Sequence, residues 1–220
     1  MFDSYLQESI LGRAIKDKKI KIKFYNPVDY CQPKERVDGR PYGGGPGMVL
    51  RPEPVLKAFY AAIKSFSGPR SSGAPTPARP FKKLHGGSKI IILSPTGKKF
   101  DTAYAKTLAK KYKNIVIISG RYEGVDDRVR KITKAEKVSI GDYVLTGGEL
   151  PAMVMIDSIS RQIPGVLGKY ESLEEERVSS SEVYTRPEKL VYKGKSYKVP
   201  KVLLSGNHKN IDIWKNKTKK

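Results

Sequence analysis

Cysteine and histidine are scarce in this chain of 220 residues. Cys31 is the only cysteine, so no disulfide can form within the chain, and we expect a protein of the reducing cytoplasm. The two histidines, His85 and His208, lie far apart in the sequence and, with a single cysteine, give little support for a zinc site. The residue types therefore predict no metal site.

Long apolar runs are also absent from the sequence. No run approaches the ~20 apolar residues that a membrane-spanning helix needs. The first ten residues include acidic side chains and lack the apolar centre of a signal peptide. The sequence therefore predicts a cytoplasmic protein without a membrane-spanning segment.

Acidic residues are few in comparison with basic ones. The chain has 22 Asp and Glu against 43 Lys and Arg, which gives a formal net charge of +21. Such a surplus predicts a polyanionic partner; nucleic acid is the leading candidate, and an anionic membrane surface is the alternative. The hydrophobic share of 38% is sufficient for a folded core, so global disorder is not expected.

Apolar runs alternate with helix-like segments along the middle of the chain. Three apolar strands are predicted, and each leads into a loop that contains Ser, Gly or Pro. The strands are 89–93, 115–119 and 138–146, and the loops are 94–97, 120–124 and 141–148. This alternation predicts an α/β fold with a mostly parallel sheet. Because ligands bind beyond the carboxyl ends of parallel strands, we expect the three loops to converge on one crevice.

Other segments are predicted from the same patterns. Helical spacing of apolar residues indicates helices over 4–16, 54–66 and 101–112, and apolar–basic alternation indicates a strand over 20–25. None of the three loops contains the glycine pattern of a dinucleotide-binding fold or of a P-loop, so neither site is supported.

The segment 139–168 joins an apolar strand-like run to a helix. It breaks at Gly147 and Gly148, and Glu149 and Pro151 stand where a first helical turn favours an acid and a proline. Glycines at a strand end allow a ligand to approach the backbone closely, which favours one wall of a small-molecule pocket. A strand–turn–helix connection with glycines for geometry alone is the alternative.

Two further loops are rich in glycine. Residues 40–50, RPYGGGPGMVL, could cradle a ligand or a partner's backbone, with a flexible connector as the alternative. Residues 67–88 combine Gly, Pro and Ser with basic side chains and are predicted to form a mobile basic loop, in which phosphate contact is one role and plain insertion another.

A set of long motifs, in order along nearly the whole chain, resembles the bacterial tRNA (guanine-N1)-methyltransferases of the TrmD type. The motifs are RPYGGGPGM (40–48), LSPTG (93–97), GRYEGVDDR (120–128), SIGDYVLTGGELPAM (139–153), IPGVLG (163–168), YTRPE (184–188) and LSGNH (204–208). The resemblance implies the SPOUT class, an α/β sheet with a C-terminal trefoil knot, and a homodimer that binds S-adenosyl-L-methionine in the knot and tRNA across both subunits. It also allows a role for Mg²⁺.

The resemblance also implies a division of the chain. Residues 1–166 would form the catalytic domain, 167–178 an interdomain linker, and 179–220 a small, shortened α-helical C-terminal domain that binds tRNA. The last 32 residues, from Lys189, contain ten lysines and one acid, Asp212. Relative to the family, a first strand before Met1 and Phe2 is missing, and the tail ends soon after Trp214.

The methyl donor's site follows from the resemblance motif by motif. The implied residues are Leu93, Ser94 and Pro95 from the first loop, Gly120, Tyr122, Glu123 and Gly124 from the second, and Ile140, Gly141, Tyr143, Leu145, Gly147 and Gly148 from the third. These are the same three loops that strand ends alone predict to converge.

The reaction implied is methylation of N1 of the guanine just 3′ of the anticodon, tRNA position 37. N1 carries a proton, so the step needs a base for that proton and a cation for the charge that gathers on O6. The resemblance assigns the cation to Arg161. The family's aspartate falls at Glu176, which is one methylene longer, with Glu174 and Glu175 as substitutes. We expect Arg161 to face the crevice that the three loops form.

Two alternatives stay open from the sequence. One is a related SPOUT RNA methyltransferase with another target nucleotide. The other is a non-catalytic RNA-binding protein with a decayed pocket, which the retention of Arg161 and of all three loops disfavours.

Overall fold

The computed structural model describes residues 2–66, 87–167 and 182–217. The chain divides into two compact units, Met1–Val166 and Leu167–Lys220. The predicted mobile basic loop falls almost wholly outside the described residues, as do Glu174, Glu175 and Glu176. The assignment of catalytic domain, linker and tRNA-binding region stays a prediction.

The first unit alternates helices and strands. In chain order its elements are α1 (Asp3–Leu6), α2 (Ser9–Lys16), a 3-10 helix (Pro27–Tyr30), β1 (Asp38–Gly39), β2 (Val49–Leu50), α3 (Pro52–Lys64), β3 (Ser88–Lys99), α4 (Thr102–Lys111), β4 (Asn114–Ile118), α5 (Asp127–Thr133), β5 (Glu136–Ser139) and α6 (Glu149–Ser160). Asp101 and Asp126 begin α4 and α5 by accepting a hydrogen bond from a backbone N–H of the first turn.

The central sheet has three parallel strands in the order β4-β3-β5. Ile90 of β3 is opposite Val116 of β4, and Ile92 of β3 is opposite Lys137 of β5. A parallel pair requires a crossover connection, and α4 and α5 provide it here. The prediction of an α/β fold with a parallel sheet is confirmed.

Two apolar clusters cover the two faces of this sheet. Neighbouring residues of a strand point to opposite faces, and accordingly Ile92 packs in one cluster and Ile91 in the other. The first cluster joins Ile92 to α3 and α5, with Phe59 and Val129 buried. The second joins Ile91 to α4 and α6, with Leu108 fully buried. The sheet is thus the middle layer of three.

A four-residue bulge interrupts β3. Leu93 and Lys98 are both paired with Val138 of β5, so residues 94–97 lie outside the ladder. A Cβ added to Gly97 would lie 2.4 Å from the backbone nitrogen of Val138, which only glycine permits. The bulge lies where the first loop was predicted, at the carboxyl end of the parallel pairing.

Three predicted elements differ from the structure. The helix predicted over 4–16 is divided into α1 and α2, because the backbone of Glu8 is extended. The break places the backbone oxygen of Gln7 only 2.1 Å from where a Cβ on Gly12 would be, which glycine permits. Residues 20–25 form no strand. Most apolar residues of this segment are partly buried, and its basic residues are exposed. An irregular surface segment with one partly buried side has the same apolar–basic alternation as an edge strand.

The third predicted strand, 138–146, is wrong in its extent. The strand is β5, which ends at Ser139, and the following residues form a loop. Val144 is 79% exposed, so the apolar run continues beyond the sheet without entering the core. Apolar residues that line a cavity produce the same sequence pattern as buried strand residues.

The second unit contains a hairpin followed by two helices. Strands β6 (Lys189–Tyr192) and β7 (Lys195–Lys198) pair antiparallel, and α7 (Lys201–Leu204) and α8 (His208–Lys217) follow. Tyr184 lies near Trp214 of α8, with ring centroids 6.3 Å apart. The hairpin adds strands to a region that was predicted as α-helical. Within the described residues, no helix is long and apolar enough to cross a membrane.

Candidate active site

A cavity of about 350 Å³ lies beside the bulge of β3 and the carboxyl ends of β4 and β5. This volume falls within the range of roughly 300–1,000 Å³ that is typical of small-molecule sites. Twelve of the thirteen residues that the resemblance assigned to the methyl donor line it: Leu93, Ser94, Pro95, Gly120, Tyr122, Glu123, Gly124, Ile140, Tyr143, Leu145, Gly147 and Gly148. The predicted convergence of the three loops is confirmed.

The thirteenth residue, Gly141, lies behind the cavity wall. A Cβ on Gly141 would be 2.3 Å from the Tyr143 ring, so the glycine makes room for that ring. Ser139 accepts a hydrogen bond from the Gly141 N–H at 3.3 Å and donates its hydroxyl to the Gly141 carbonyl at 2.8 Å. Gly141 therefore shapes the third loop from behind.

The second and third loops are joined through their backbones. The N–H of Gly148 donates to the carbonyl of Gly120 at 2.8 Å, and the Ser119 hydroxyl donates to the Gly148 carbonyl at 3.1 Å. A Cβ on Gly148 would lie 2.9 Å from the Cα of Ser119. The close approach of these backbones explains why glycine occupies position 148.

A side-chain ion pair reinforces this junction. The Nε of Arg121 donates to Oε1 of Glu149, in the first turn of α6, at 2.6 Å. That hydrogen bond raises the pKa of the Arg121 guanidinium. The acid at the start of α6 also interacts favourably with the positive end of the helix dipole.

The glycine-rich loop 40–48 is the tip of a short hairpin fastened to the second cavity loop. Strands β1 and β2 close the hairpin. The N–H of Glu123 donates to the Met48 carbonyl at 3.0 Å, and the N–H of Leu50 donates to the Gly124 carbonyl at 2.9 Å. The loop is therefore anchored beside the cavity, which argues against a free connector.

The cavity combines an apolar rim with ionised side chains. Tyr122 is 63% exposed and Tyr143 is 56% exposed, so both rings offer apolar surface to a ligand. Asp127 and Lys137 contribute one charge of each sign. A hydrogen bond from Arg130 lowers the pKa of Asp127 to about 2, so this carboxylate is ionised at neutral pH.

Arg161 does not line the cavity of its own chain. Helix α6 begins at the cavity, where Gly148 and Pro151 line the wall, and Arg161 follows its last residue. A helix of 12 residues is about 18 Å long, so Arg161 lies at the opposite end from the cavity. The expectation that Arg161 faces the crevice is wrong for a single chain, and Glu176 lies outside the described residues.

The comparisons with known proteins decide the family. A family model described as "tRNA (Guanine-1)-methyltransferase TrmD" matches residues 1–220. The chain belongs to this TrmD family. Among curated tRNA (guanine-N(1)-)-methyltransferases, that of Clostridioides difficile is 41% identical over 220 residues, which cover 98% of this chain and 86% of the relative. That of Dehalococcoides mccartyi is 43% identical over 222 residues, covering 99% and 80%.

A solved TrmD-family structure has the same fold. The crystal structure of tRNA (m1G37) methyltransferase from Aquifex aeolicus is similar with a TM-score of 0.71 and 38% identity. The match covers 97% of this chain and 82% of the crystallised chain. The resemblance to the TrmD type, which was inferred from the sequence motifs, is therefore confirmed.

The sequence reasoning missed several residues of the TrmD-family cavity. These are Ile92, Arg121, Val125, Asp127, Lys137, Val138, Ser139, Val144 and Pro151. Arg121, Val144 and Pro151 lie inside the motifs from which the donor site was predicted, so the sequence could have identified them as candidates. Lys137 lies in β5 outside every motif, and only the fold reveals it.

Proposed function

We propose that this TrmD-family protein transfers a methyl group from S-adenosyl-L-methionine to N1 of the guanine at tRNA position 37, giving 1-methylguanosine. The observation that carries the proposal is the cavity, where twelve residues assigned to the donor from sequence surround one space at the strand ends. Family membership supplies the reaction class. The relative from Aquifex aeolicus, which is described as a tRNA (m1G37) methyltransferase, supports position 37.

The lining of the cavity fits this donor. Backbone N–H and carbonyl groups of the three glycine-bearing loops can read the edge of an adenine, and Tyr122 and Leu145 supply apolar surface. When bound, the donor supplies an electrophilic methyl group and leaves as S-adenosyl-L-homocysteine.

The protein's task is to make guanine N1 nucleophilic. As the N1–CH₃ bond forms and the sulfur–CH₃ bond breaks, the N1 proton passes to a carboxylate. We assign this base to Glu176, with Glu174 and Glu175 as substitutes. Arg161 donates hydrogen bonds to O6, where negative charge gathers. A guanidinium suits this role because it stays charged throughout.

The position of Arg161 supports a homodimer. Leu150, Val154 and Arg161 are spaced by four and seven residues, so they share one face of α6 and its C-terminal end. Leu150 is 52% exposed and Val154 is 47% exposed, although a helix as apolar as α6 is normally buried all round. We infer that a second copy covers this face, so that Arg161 acts at the cavity of the partner.

The finer features of the fold belong to the same proposal. The trefoil knot that the resemblance implies is one of these features. Residues 1–166 would be the catalytic domain, 167–178 the linker and 179–220 the tRNA-binding region. Among the described residues, no group of three or more His, Cys, Asp or Glu could hold a metal ion.

The test uses two tRNA transcripts and a donor with a labelled methyl group. One transcript has guanine after the anticodon and the other has adenine. We expect label only in the guanine transcript. Equal labelling of both would favour an RNA methyltransferase with another target. No donor binding by calorimetry would favour a non-catalytic RNA-binding protein.

A further inference from the structure

Lys137 places a positive charge on the wall of the cavity. It belongs to β5 and lies opposite Ile92 of β3, which also lines the cavity. Paired residues of neighbouring strands project to the same face of a sheet, and Ile92 packs on the face that α3 and α5 cover. The side chain of Lys137 therefore extends toward α5, where its ammonium group lies 3.8 Å from Oδ1 of Asp127.

Asp127 does not depend on Lys137 for a partner. Arg130 donates to Oδ1 of Asp127 at 2.7 Å and to Oδ2 at 3.0 Å, and Lys131 lies 3.6 Å from Oδ2. The hydrogen bond from Arg130 is the largest cause of the lowered pKa of Asp127, and Lys137 and Lys131 contribute less. A separation of 3.8 Å is too long for a hydrogen bond, so Lys137 adds to a surplus of positive charge around one carboxylate.

The positive charge of Lys137 is open to a ligand. Of the three cations around Asp127, Lys137 is the one that lines the cavity. Arg121 is the other cation that lines it among the described residues, and Glu149 balances its charge at 2.6 Å. The side chain of Lys137 is 45% exposed, and no described residue forms a hydrogen bond with its ammonium group. An anionic group in the cavity would therefore find its partner at Lys137.

We propose that Lys137 binds the carboxylate of the methyl donor and selects donors that carry this group. The carboxylate is the anionic group of S-adenosyl-L-methionine, which also carries an ammonium and a sulfonium cation. A lysine suits it because hydrogen bonds between an ammonium group and a carboxylate are assisted by both charges. The inference deepens the proposed function, on which it rests in taking S-adenosyl-L-methionine as the donor.

A phosphate group of the RNA is the other anion that could reach this position. The donor is favoured because β5 leads from Lys137 directly to Ile140, which lines the same cavity and belongs to the residues assigned to the donor. Ile92, opposite Lys137, lies next to Leu93, which belongs to the same set. Lys137 is thus surrounded by the donor's part of the wall.

The first test compares two donors that differ only in the carboxylate. S-adenosyl-L-methionine and its decarboxylated form are each titrated into the full chain without tRNA, and calorimetry gives both Kd values. In Lys137→Gln the Kd for S-adenosyl-L-methionine should rise about tenfold. This is the low end for a hydrogen bond to a charged group, because Lys137 is partly exposed. The Kd for the decarboxylated donor should equal that of the wild type.

The matched control is Lys131→Gln. Lys131 lies near the same carboxylate of Asp127 and is 69% exposed, but it does not line the cavity. Loss of its charge should leave both Kd values unchanged. Urea unfolding should give similar stabilities for the wild type and both variants, since exposed ion pairs contribute little. An effect seen only in Lys137→Gln therefore cannot come from net charge or from misfolding.

The second test reverses the charge. In Lys137→Glu a carboxylate would face the carboxylate of S-adenosyl-L-methionine, so the affinity should fall below that of Lys137→Gln. The decarboxylated donor carries only positive charge and should bind Lys137→Glu more tightly than it binds the wild type. Lys131→Glu should change neither affinity.

The outcomes distinguish failure of this inference from failure of the proposed function. If the wild type binds the donor and methylates tRNA, but Lys137→Gln weakens both donors equally or neither, the inference is overturned. If Lys137→Gln leaves both donors unchanged and weakens tRNA binding, a phosphate is the ligand and the inference is also overturned. If donor affinity depends on Lys137 and the carboxylate but guanine 37 is not methylated, the proposed function fails while the carboxylate site stands.

Discussion

Arg121 and Glu149 form an ion pair 2.6 Å long that joins the second cavity loop to the first turn of α6. The two residues lie in different loop–helix segments. An isolated antiparallel β-bridge between Arg121 and Gly147 joins the same two segments. The pair therefore holds two walls of the cavity together, and Arg121 itself is part of the lining.

Replacing Glu149 should weaken donor binding more than it weakens the fold. Glu149→Gln removes the charge that assists the hydrogen bond from Arg121. Because Arg121 is 54% exposed, the loss of stability should be small. Donor affinity, measured by calorimetry, should fall about fivefold, which corresponds to ~1 kcal/mol.

The matched control for Glu149 is Asp142, which pairs with Lys99 at 3.1 Å on a more exposed part of the third loop. Asp142→Asn should leave donor affinity unchanged. Equal effects of the two substitutions would contradict the role of the Arg121–Glu149 pair.

Gly97 should tolerate no side chain, because the bulge in β3 packs directly against β5. In Gly97→Ala the new Cβ meets the backbone of Val138 at 2.4 Å, so the free energy of unfolding should fall by about 1–3 kcal/mol. Gly39→Ala is the control, because no atom lies within 4 Å of its Cβ position. Urea unfolding measures both; a Gly97→Ala variant as stable as Gly39→Ala would contradict the packing described.

The side chain of Glu136 should make stability depend on pH. Burial opposes its ionisation, but hydrogen bonds from Lys89 and Tyr104 outweigh this and lower its pKa below 4.5. The contribution to stability is therefore full above about pH 4.5 and is lost as the pH falls through the lowered pKa. Glu136→Gln should reduce stability at pH 7 and flatten this acid limb in urea unfolding. An unchanged acid limb would contradict the assignment.

The sequence predicted the parallel sheet and the convergence of the three loops, because both follow from strand periodicity and from where parallel strands end. It could not locate Arg161 relative to the cavity of its own chain, since that depends on the length of α6. It also mistook the exposed run that includes Val144 for strand. Lys137 was not predicted as a site residue, because in sequence a lysine that lines a cavity cannot be distinguished from a lysine that faces solvent.

The proposed dimer predicts complementation between two inactive variants. Arg161→Ala lacks the cation, and Leu145→Arg places a bulky cation at the cavity rim, where Leu145 is already 38% exposed. In a mixed dimer, the cavity of the Arg161→Ala chain receives an intact Arg161 from the other chain. Random exchange gives half mixed dimers with one working site each, so activity should recover to about one quarter of wild type. If the activity of the mixture is no greater than the sum of the activities of the two variants alone, Arg161 acts at the cavity of its own chain and the proposed arrangement is contradicted.

The most direct measurement of the central claim is the identity of the modified nucleoside. Wild-type protein is incubated with S-adenosyl-L-methionine and a tRNA transcript that has guanine at position 37, and the digested RNA is analysed by mass spectrometry against methylguanosine standards. The account predicts 1-methylguanosine from position 37 and its loss in Arg161→Ala. Methylation at another atom or another nucleotide, or no methylation at all, would contradict it.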